Sequence, residues 1–356
     1  MSRFWSPIVE RLVPYTPGEQ PRDQKFIKLN TNENPYGPSP RALDAIHDAA
    51  RDDLRLYPDP SAIDLRQAIA STFELGTDHI FVGNGSDDVL AHAFNAFFTG
   101  KQPILFADVT YSFYRTYCEL YAIQHHKIPL TDAFEYDICD YQVPCGGVVI
   151  ANPNAPTGVA MTLDHIEQIL IQHPDVVVII DEAYVDFGAD SAVELVSRHE
   201  NLVVVQTFSK SRSLAGLRVG FAIAQPHLIE GLQRVKDSFN SYPLGRLALE
   251  GARASWADRN WFDQTRRQIM ADRDRTAEVL QSQGFQVLPS STNFVFAFHD
   301  TLPAEKLKSD LRTRGILVRH FNHPRINNWL RISIGTSQDC DTLLEATSSI
   351  IADTKT

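Results

Sequence analysis

The stretch Val176-Val177-Val178-Ile179-Ile180-Asp181-Glu182-Ala183-Tyr184 sets an unbroken β-branched apolar run directly before two carboxylates. A strand with one wet face would alternate apolar and polar residues. A run that is apolar throughout suits a strand covered on both faces, as in a parallel sheet flanked by helices. Pro103–Ala107, Gly147–Ala151, Leu202–Thr207 and Val219–Ala224 read in the same way, and Ser86–Phe98 and Leu163–Gln172 have the length and spacing of intervening helices. Strands alternating with helices predict an α/β domain with a mostly parallel central sheet.

Outward from this core, residues 1–40 are rich in Pro, Asn and Gly and read as an extended arm with turns. Apolar spacing predicts a helix from Arg41 to about Leu56, which Tyr57-Pro58-Asp59-Pro60 breaks, then a helix over Ala62–Phe73 and a short strand over His79–Val82. A long charged helix over about Asn260–Gln283 leads into strands at Gln286–Leu288 and Phe294–Phe298, a helix at Pro303–Thr313, and strands at Ile316–Arg319 and Leu330–Ile334. The expected organisation is an arm (1–40), a large domain (41–260) and a smaller α+β domain (261–356), closely packed because no flexible linker intervenes.

The 356 residues carry 33 Lys and Arg against 44 Asp and Glu, a net charge of −11, with 43% apolar residues. At roughly 150 residues per domain the length fits about two domains. The acidic balance, with no basic run, argues against nucleic-acid binding, which needs clustered cations. Met1 to Gln20 lacks the apolar centre of a signal peptide, and no run of about 18 apolar residues offers a membrane span. The four cysteines (Cys118, Cys139, Cys145, Cys340) fit neither a disulfide framework nor a zinc site. A cytoplasmic protein is expected. His125-His126 and the pair His320 and His323 lack further ligands at metal spacing and read as surface or loop residues.

In an open α/β sheet, ligands sit beyond the carboxyl ends of the strands. Four strands here end in polar groups. Val82-Gly83-Asn84-Gly85-Ser86-Asp87 opens a helix; its small residues suit close approach of a phosphate to the helix start, and Ser86 or Asp87 serves equally as a plain cap. Its spacing does not match G-x-G-x-x-G, so a dinucleotide fold is not supported. Asp181 suits a cation or a metal, or a structural cap. After Leu202–Gln206 comes Thr207-Phe208-Ser209-Lys210-Ser211-Arg212, with Arg218 farther on. A lysine just past a buried strand, among hydroxyls, suits a Schiff-base amine, and Arg218 with Ser209 suits a phosphate. Asn152-Pro153-Asn154-Ala155-Pro156-Thr157-Gly158 is a rigid turn able to aim an Asn side chain.

In this order the four segments resemble the fold-type I aminotransferases that use pyridoxal 5'-phosphate, and the likeness covers nearly the whole chain. Leu29-Asn30-Thr31-Asn32-Glu33-Asn34-Pro35-Tyr36-Gly37-Pro38, Tyr57-Pro58-Asp59 and Arg331-Ile332-Ser333-Ile334-Gly335 are similar to the histidinol-phosphate aminotransferase family in particular. The resemblance implies that Lys210 carries the cofactor and shuttles a proton, that Asp181 pairs with the pyridinium nitrogen, and that Tyr184 bonds the ring's phenolic oxygen. Tyr111 would stack on the ring, while Gly85, Ser86, Ser209 and Arg218 hold the phosphate with Asp87 at the helix start. Relatives often carry Asn directly before Pro-Thr-Gly; here that position is Ala155, leaving Asn154 or Tyr184 alone to bond the phenolic oxygen. Arg331 and Arg319 would grip the substrate's phosphate ester, with Tyr15 and Tyr36 of the arm closing over that end. Tyr57 would reach the cofactor or substrate of a neighbouring subunit, implying a homodimer with shared sites. The implied reaction interconverts L-histidinol phosphate and 2-oxoglutarate with imidazole-acetol phosphate and L-glutamate. An aromatic amino acid aminotransferase and a pyridoxal-dependent decarboxylase of a phosphorylated amino acid are the alternatives.

Overall fold

The computed structural model describes residues 2–14, 18–21 and 25–354. In chain order the strands are β1 (Ile27–Leu29), β2 (Ile80–Gly83), β3 (Ile104–Ala107), β4 (His125–Ile128), β5 (Gly147–Ala151), β6 (Val178–Asp181), β7 (Leu202–Thr207), β8 (Gly220–Ala224), β9 (Phe285–Val287), β10 (Phe294–His299), β11 (Ile316–His320) and β12 (Trp329–Ser333). The helices are α1 (Pro7–Arg11), α2 (Pro40–Ala49), α3 (Ile63–Thr72), α4 (Ser86–Phe98), α5 (Phe113–Tyr121), α6 (Leu163–Gln172), α7 (Pro226–Phe239), α8 (Arg246–Ala257), α9 (Arg259–Ser282), α10 (Ala304–Thr313) and α11 (Ser337–Thr354).

The larger sheet has seven strands in the order β2-β8-β7-β6-β5-β3-β4, and the smaller has five in the order β1-β11-β12-β10-β9. Strands β7, β6, β5, β3 and β4 run parallel. Their apolar runs bury on both faces, with alternate residues going to separate cores. Val148, Ile150, Val178, Ile180, Leu202 and Val204 enter one core. Val149, Val177, Ile179, Val203 and Val205 enter the other, against Phe94 and Phe98 of α4 and Tyr114 and Tyr117 of α5. By the same alternation Asp181 faces the α4/α5 side, while Glu182 faces the opposite one.

Strand β8 runs antiparallel to both β2 and β7. It therefore starts where its neighbours end, and Gly220 lies opposite both Gly83 and Thr207. This reversal delivers Arg218, just before β8, to the carboxyl edge of the sheet. Strand β1 from the arm pairs parallel with β11, so the arm completes the five-stranded sheet.

The helices expected at Ser86–Phe98 and Leu163–Gln172 form with those bounds. The helix expected to run to Leu56 stops at Ala49 and is followed by a 3-10 turn over Asp52–Arg55, which keeps Leu54 in an apolar spacing without continuing the α-helix. The strand expected at Val176–Ile180 begins at Val178 and includes Asp181, because pairing with β7 starts at Leu202.

A Cβ on Gly220 would lie 2.3 Å from the Ser86 nitrogen and 2.4 Å from the Gly85 carbonyl carbon, both backbone atoms. Gly216 has open space at its Cβ position. Gly220→Ala should therefore destabilise the protein by about 1–3 kcal/mol through overpacking. A thermal melt checks this: the Gly220 variant should fall clearly below the parent and Gly216→Ala should stay near it.

Candidate active site

At the end of β6, Asp181 is 5% exposed. The Tyr114 hydroxyl donates to its Oδ2 at 2.7 Å and the Ala183 N–H to its Oδ1 at 3.3 Å. Burial raises its pKa to about 6; the two donors and the Lys210 charge pull it down, and nearby Asp87 pushes it up. Glu182, on the other side of the strand, accepts from Ser191 Oγ (2.6 Å), the Ala192 N–H (2.6 Å) and Gln206 Nε2 (2.7 Å). Burial lifts Glu182 to about 7, and its neighbours fix it as an anchor of the following loop.

An anion cradle lies at the turn into α4. Gly85 takes φ +84°, and no side chain caps the start of the helix. The backbone N–H groups of that first turn are oriented for a negative ligand. Arg218 Nη2 lies 3.0 Å from Asp87 Oδ2, and its Nη1 donates to Ser209 Oγ at 3.4 Å. The Tyr111 hydroxyl donates to the other Asp87 oxygen at 2.9 Å. A Cβ on Gly85 would fall 2.5 Å from Arg218 Nη2, so only glycine lets the guanidinium lie over the turn.

Between the carboxylate and the cradle is a cavity of about 120 Å³, walled by Ser86, Asp181, Tyr184, Ser209, Lys210 and Arg218. It shares Tyr111, Ala155, Tyr184 and Lys210 with a second cavity of about 410 Å³, whose far wall carries Arg319 and Arg331. Lys210 is half-buried, its Nζ 5.5 Å from the centre of the Tyr184 ring. The two arginines are register partners across β11 and β12. Arg331 donates to the Asn30 carbonyl at 3.1 Å, and its guanidinium lies 5.3 Å from the Phe294 ring and 5.4 Å from that of Phe321. Arg319 lies 5.5 Å from Phe321 on the same side. A buried carboxylate, an amine and a hydroxyl-rich cationic anion cradle form a donor set matching the ring nitrogen, aldehyde and phosphate of pyridoxal phosphate.

Lys210, Asp181, Tyr184, Ser86, Asp87, Tyr111, Ser209 and Arg218 thus gather around the smaller cavity, with Gly85 shaping its cradle. Two expectations are corrected. Asn154 is fully buried behind the wall, where its amide donates to the Val109 carbonyl (2.9 Å) and Thr157 Oγ1 (3.0 Å) and accepts from Thr110 Oγ1 (2.8 Å). Its side chain is consumed in shaping the turn, and Ala155 is the residue on the cavity wall. Tyr36 packs against the core of the five-stranded sheet, near Asp272 and Ser337, rather than on the cavity. Tyr57 is 79% exposed, stacked on Tyr242 with ring centres 4.6 Å apart, away from this chain's own cavities. Tyr15 lies outside the described residues.

Three site residues escape the sequence reading. Asn32 donates from Nδ2 to the Tyr184 hydroxyl oxygen at 3.0 Å. Asn34 donates to the carbonyls of Lys210 (3.1 Å) and Ser211 (3.2 Å), fixing the lysine loop. Tyr114 holds Asp181. Asn32 takes φ +55°, a conformation Asn tolerates better than most residues. Among the described residues no group of three or more His, Cys, Asp or Glu is placed to hold a metal ion.

Residues 24–346 match the family model for aminotransferase class I and II. A histidinol-phosphate aminotransferase of Acetobacter pasteurianus is 58% identical over 351 residues, 99% of each chain. One from Gluconacetobacter diazotrophicus is 57% identical over 351 residues, again 99% of each. The fold is shared with the histidinol-phosphate aminotransferase of Sinorhizobium meliloti solved in complex with pyridoxal-5'-phosphate, at a TM-score of 0.90, 24% identity and 99% coverage of both chains. The chain belongs to the class I and II aminotransferases and, among them, to the histidinol-phosphate aminotransferase family.

Proposed function

We propose that this chain is a pyridoxal phosphate-dependent transaminase that interconverts L-histidinol phosphate and 2-oxoglutarate with imidazole-acetol phosphate and L-glutamate, as a step of histidine biosynthesis. The observation that carries the substrate reading is the pair Arg319 and Arg331, facing each other across β11 and β12 in the cavity that opens from Lys210. Two guanidinium forks suit the dianion of a phosphate monoester, which presents more oxygens than a single carboxylate. A glutamate or 2-oxoglutarate carboxylate takes the same place in the other half of the reaction.

Pyridoxal phosphate, when bound, supplies an electron-withdrawing ring that delocalises the charge left by loss of the substrate Cα proton. Lys210 Nζ would remove and return that proton. Asp181 would pair with the ring nitrogen and keep it protonated, Tyr184 would donate to the phenolic oxygen, and Tyr111 would pack against the ring. Arg218, Ser209 and Ser86 would hold the phosphate, with Asp87 orienting Arg218. With Ala155 on the wall, the bond to the phenolic oxygen falls to Tyr184.

The assembly we infer is a homodimer with shared sites. Leu54, Leu56, Tyr57, Phe239 and Tyr242 are large apolar or aromatic residues left exposed, and Tyr57 and Tyr242 stack on each other. A second copy covering them would take Tyr57 to the other subunit's cavity. We place the arm, large domain and small domain at 1–40, 41–260 and 261–356, in accord with β1 pairing into the sheet built by the last of these. The described cysteines are all free, which suits a reducing cytoplasm.

Mixing cofactor-loaded protein with one amino donor and no keto acid tests the substrate. The visible absorbance of the bound cofactor should be lost at far lower concentrations of histidinol phosphate than of L-phenylalanine; the reverse preference would place the chain among the aromatic aminotransferases. Arg319→Gln should raise the histidinol phosphate requirement about 10- to 100-fold, from the roughly 1.5–3 kcal/mol of a charge-assisted hydrogen bond, with a smaller effect on phenylalanine. Lys210→Ala should abolish turnover.

The raised Asp181 pKa gives a pH signature. In the protein without cofactor its pKa rises from 3.8 to about 6, so the linked stability is complete below pH 4 and disappears as pH climbs through 6. This amounts to about 3 kcal/mol. The cofactor needs the ionised carboxylate, so its affinity should be full above pH 6 and fall below it. Thermal melts with and without pyridoxal phosphate should show a larger stabilisation at pH 8 than at pH 5.

A further inference from the structure

We propose that Tyr114 is a positioning residue for the reaction, its buried hydroxyl holding Asp181 as an immobile carboxylate aimed at the ring nitrogen. This rests on the reading of Asp181 given above and goes beyond it.

Tyr114 is 0% exposed. Its ring is fixed on three sides, stacked 6.0 Å from Phe94 and edge-on to Phe106 (5.9 Å) and Tyr111 (5.5 Å). The hydroxyl therefore has one place to go, and its single proton is donated to Asp181 Oδ2 at 2.7 Å. With the Ala183 N–H on Oδ1, both carboxylate oxygens are tethered and the carboxylate plane is fixed. So held, Asp181 lines the cavity.

The supply of this donor is built into the start of α5 and the residue pair before it. Tyr111 lies just before α5, and Tyr114 and Tyr117 follow within it at a spacing of three. Their hydroxyls donate to Asp87 Oδ1 (2.9 Å), Asp181 Oδ2 (2.7 Å) and the Asp87 carbonyl (2.8 Å). This short segment thus reaches both Asp87 and Asp181.

The electrostatic need is specific. Asp181 has Asp87 from α4 as a like charge and Lys210 from the loop after β7 as an opposite one. Tyr111 and Tyr136, the latter donating to the Ala151 carbonyl at 2.9 Å, are neutral neighbours. A hydrogen bond to the charged form lowers a carboxylate's pKa, so the Tyr114 hydroxyl opposes burial and Asp87 together. Without it, Asp181 protonates at higher pH and loses its orientation.

The test is the pH dependence of pyridoxal phosphate affinity in cofactor-free protein between pH 5 and 8, read by quenching of intrinsic fluorescence. Tyr114→Phe keeps the ring and should move the midpoint of affinity loss upward by about one unit or more. Replacing the Tyr114 side chain by 3-fluorotyrosine, a more acidic phenol, should move it downward; this variant retains every packing atom if the Phe variant fails to fold. Tyr141→Phe, equally buried but in the opposite core, should leave the midpoint in place. If neither change at Tyr114 moves the midpoint while Asp181→Asn removes the pH step, the inference is overturned and the role of Asp181 stands. If Asp181→Asn leaves both affinity and pH dependence unchanged, the reading of Asp181 fails and takes the inference with it.

Discussion

A carboxylate held at the end of a strand buried on both faces is the constraint around which this structure is arranged. Taking Asp181 out of water disfavours its charge, and even with the donors around it its pKa is raised to about 6. The charge survives only where donors converge. The parallel strands bring the ends of β5, β6 and β7 to one edge, and the reversed β8 brings Arg218 there as well. Helix α4 turns its uncapped start to the same edge, while the α5 segment sends a hydroxyl to the carboxylate itself. Glu182, one residue on, falls on the other face by the strand's alternation and is satisfied by three separate donors. Neighbouring acids in the chain thereby serve different purposes, one open to a cavity and one locked into a loop.

The parts of the fold that sequence made legible are those where burial dictates composition. Double-sided burial forces apolar runs, so β5, β6 and β7 announce themselves, and the two helices α4 and α6 form with the expected bounds. Strand β4, His125-His126-Lys127-Ile128, carries no such mark: it is a largely exposed edge strand, and its conformation comes from pairing with β3. The direction of β8 is also silent, since an apolar run reads the same either way. Helix α5 is rich in aromatic residues of modest helix propensity and is held by packing against α4.

The site divides in the same manner. Lys210, Asp181 and Arg218 are polar groups at the ends of apolar strands, an anomaly that sequence displays. Asn32, Asn34 and Tyr114 act through partners hundreds or dozens of positions away, and no local pattern reveals a contact of that kind. Asn154 shows the converse. It occupies a turn built to aim a side chain, yet its amide is spent on Val109, Thr157 and Thr110. The Tyr184 side of the cavity is served instead from the arm: Asn32 donates to Tyr184 and accepts from Ser333 Oγ at 2.7 Å. Because Tyr184 accepts in that bond, its own proton is not spent there.

The arginine pair poses the opposite problem from Asp181. Like charges directly opposed on an antiparallel ladder destabilise a sheet, and Arg319 and Arg331 are so opposed. The fold tempers the repulsion with π faces, Phe321 lying near both guanidinium groups and Phe294 near Arg331, and with the Asn30 carbonyl. A dianion placed between the forks would meet both guanidinium groups at once, whereas a monoanion carries charge for one. The same proximity that sets two like charges side by side in the five-stranded sheet would suit the pair, in the function proposed above, to the doubly charged phosphate ester.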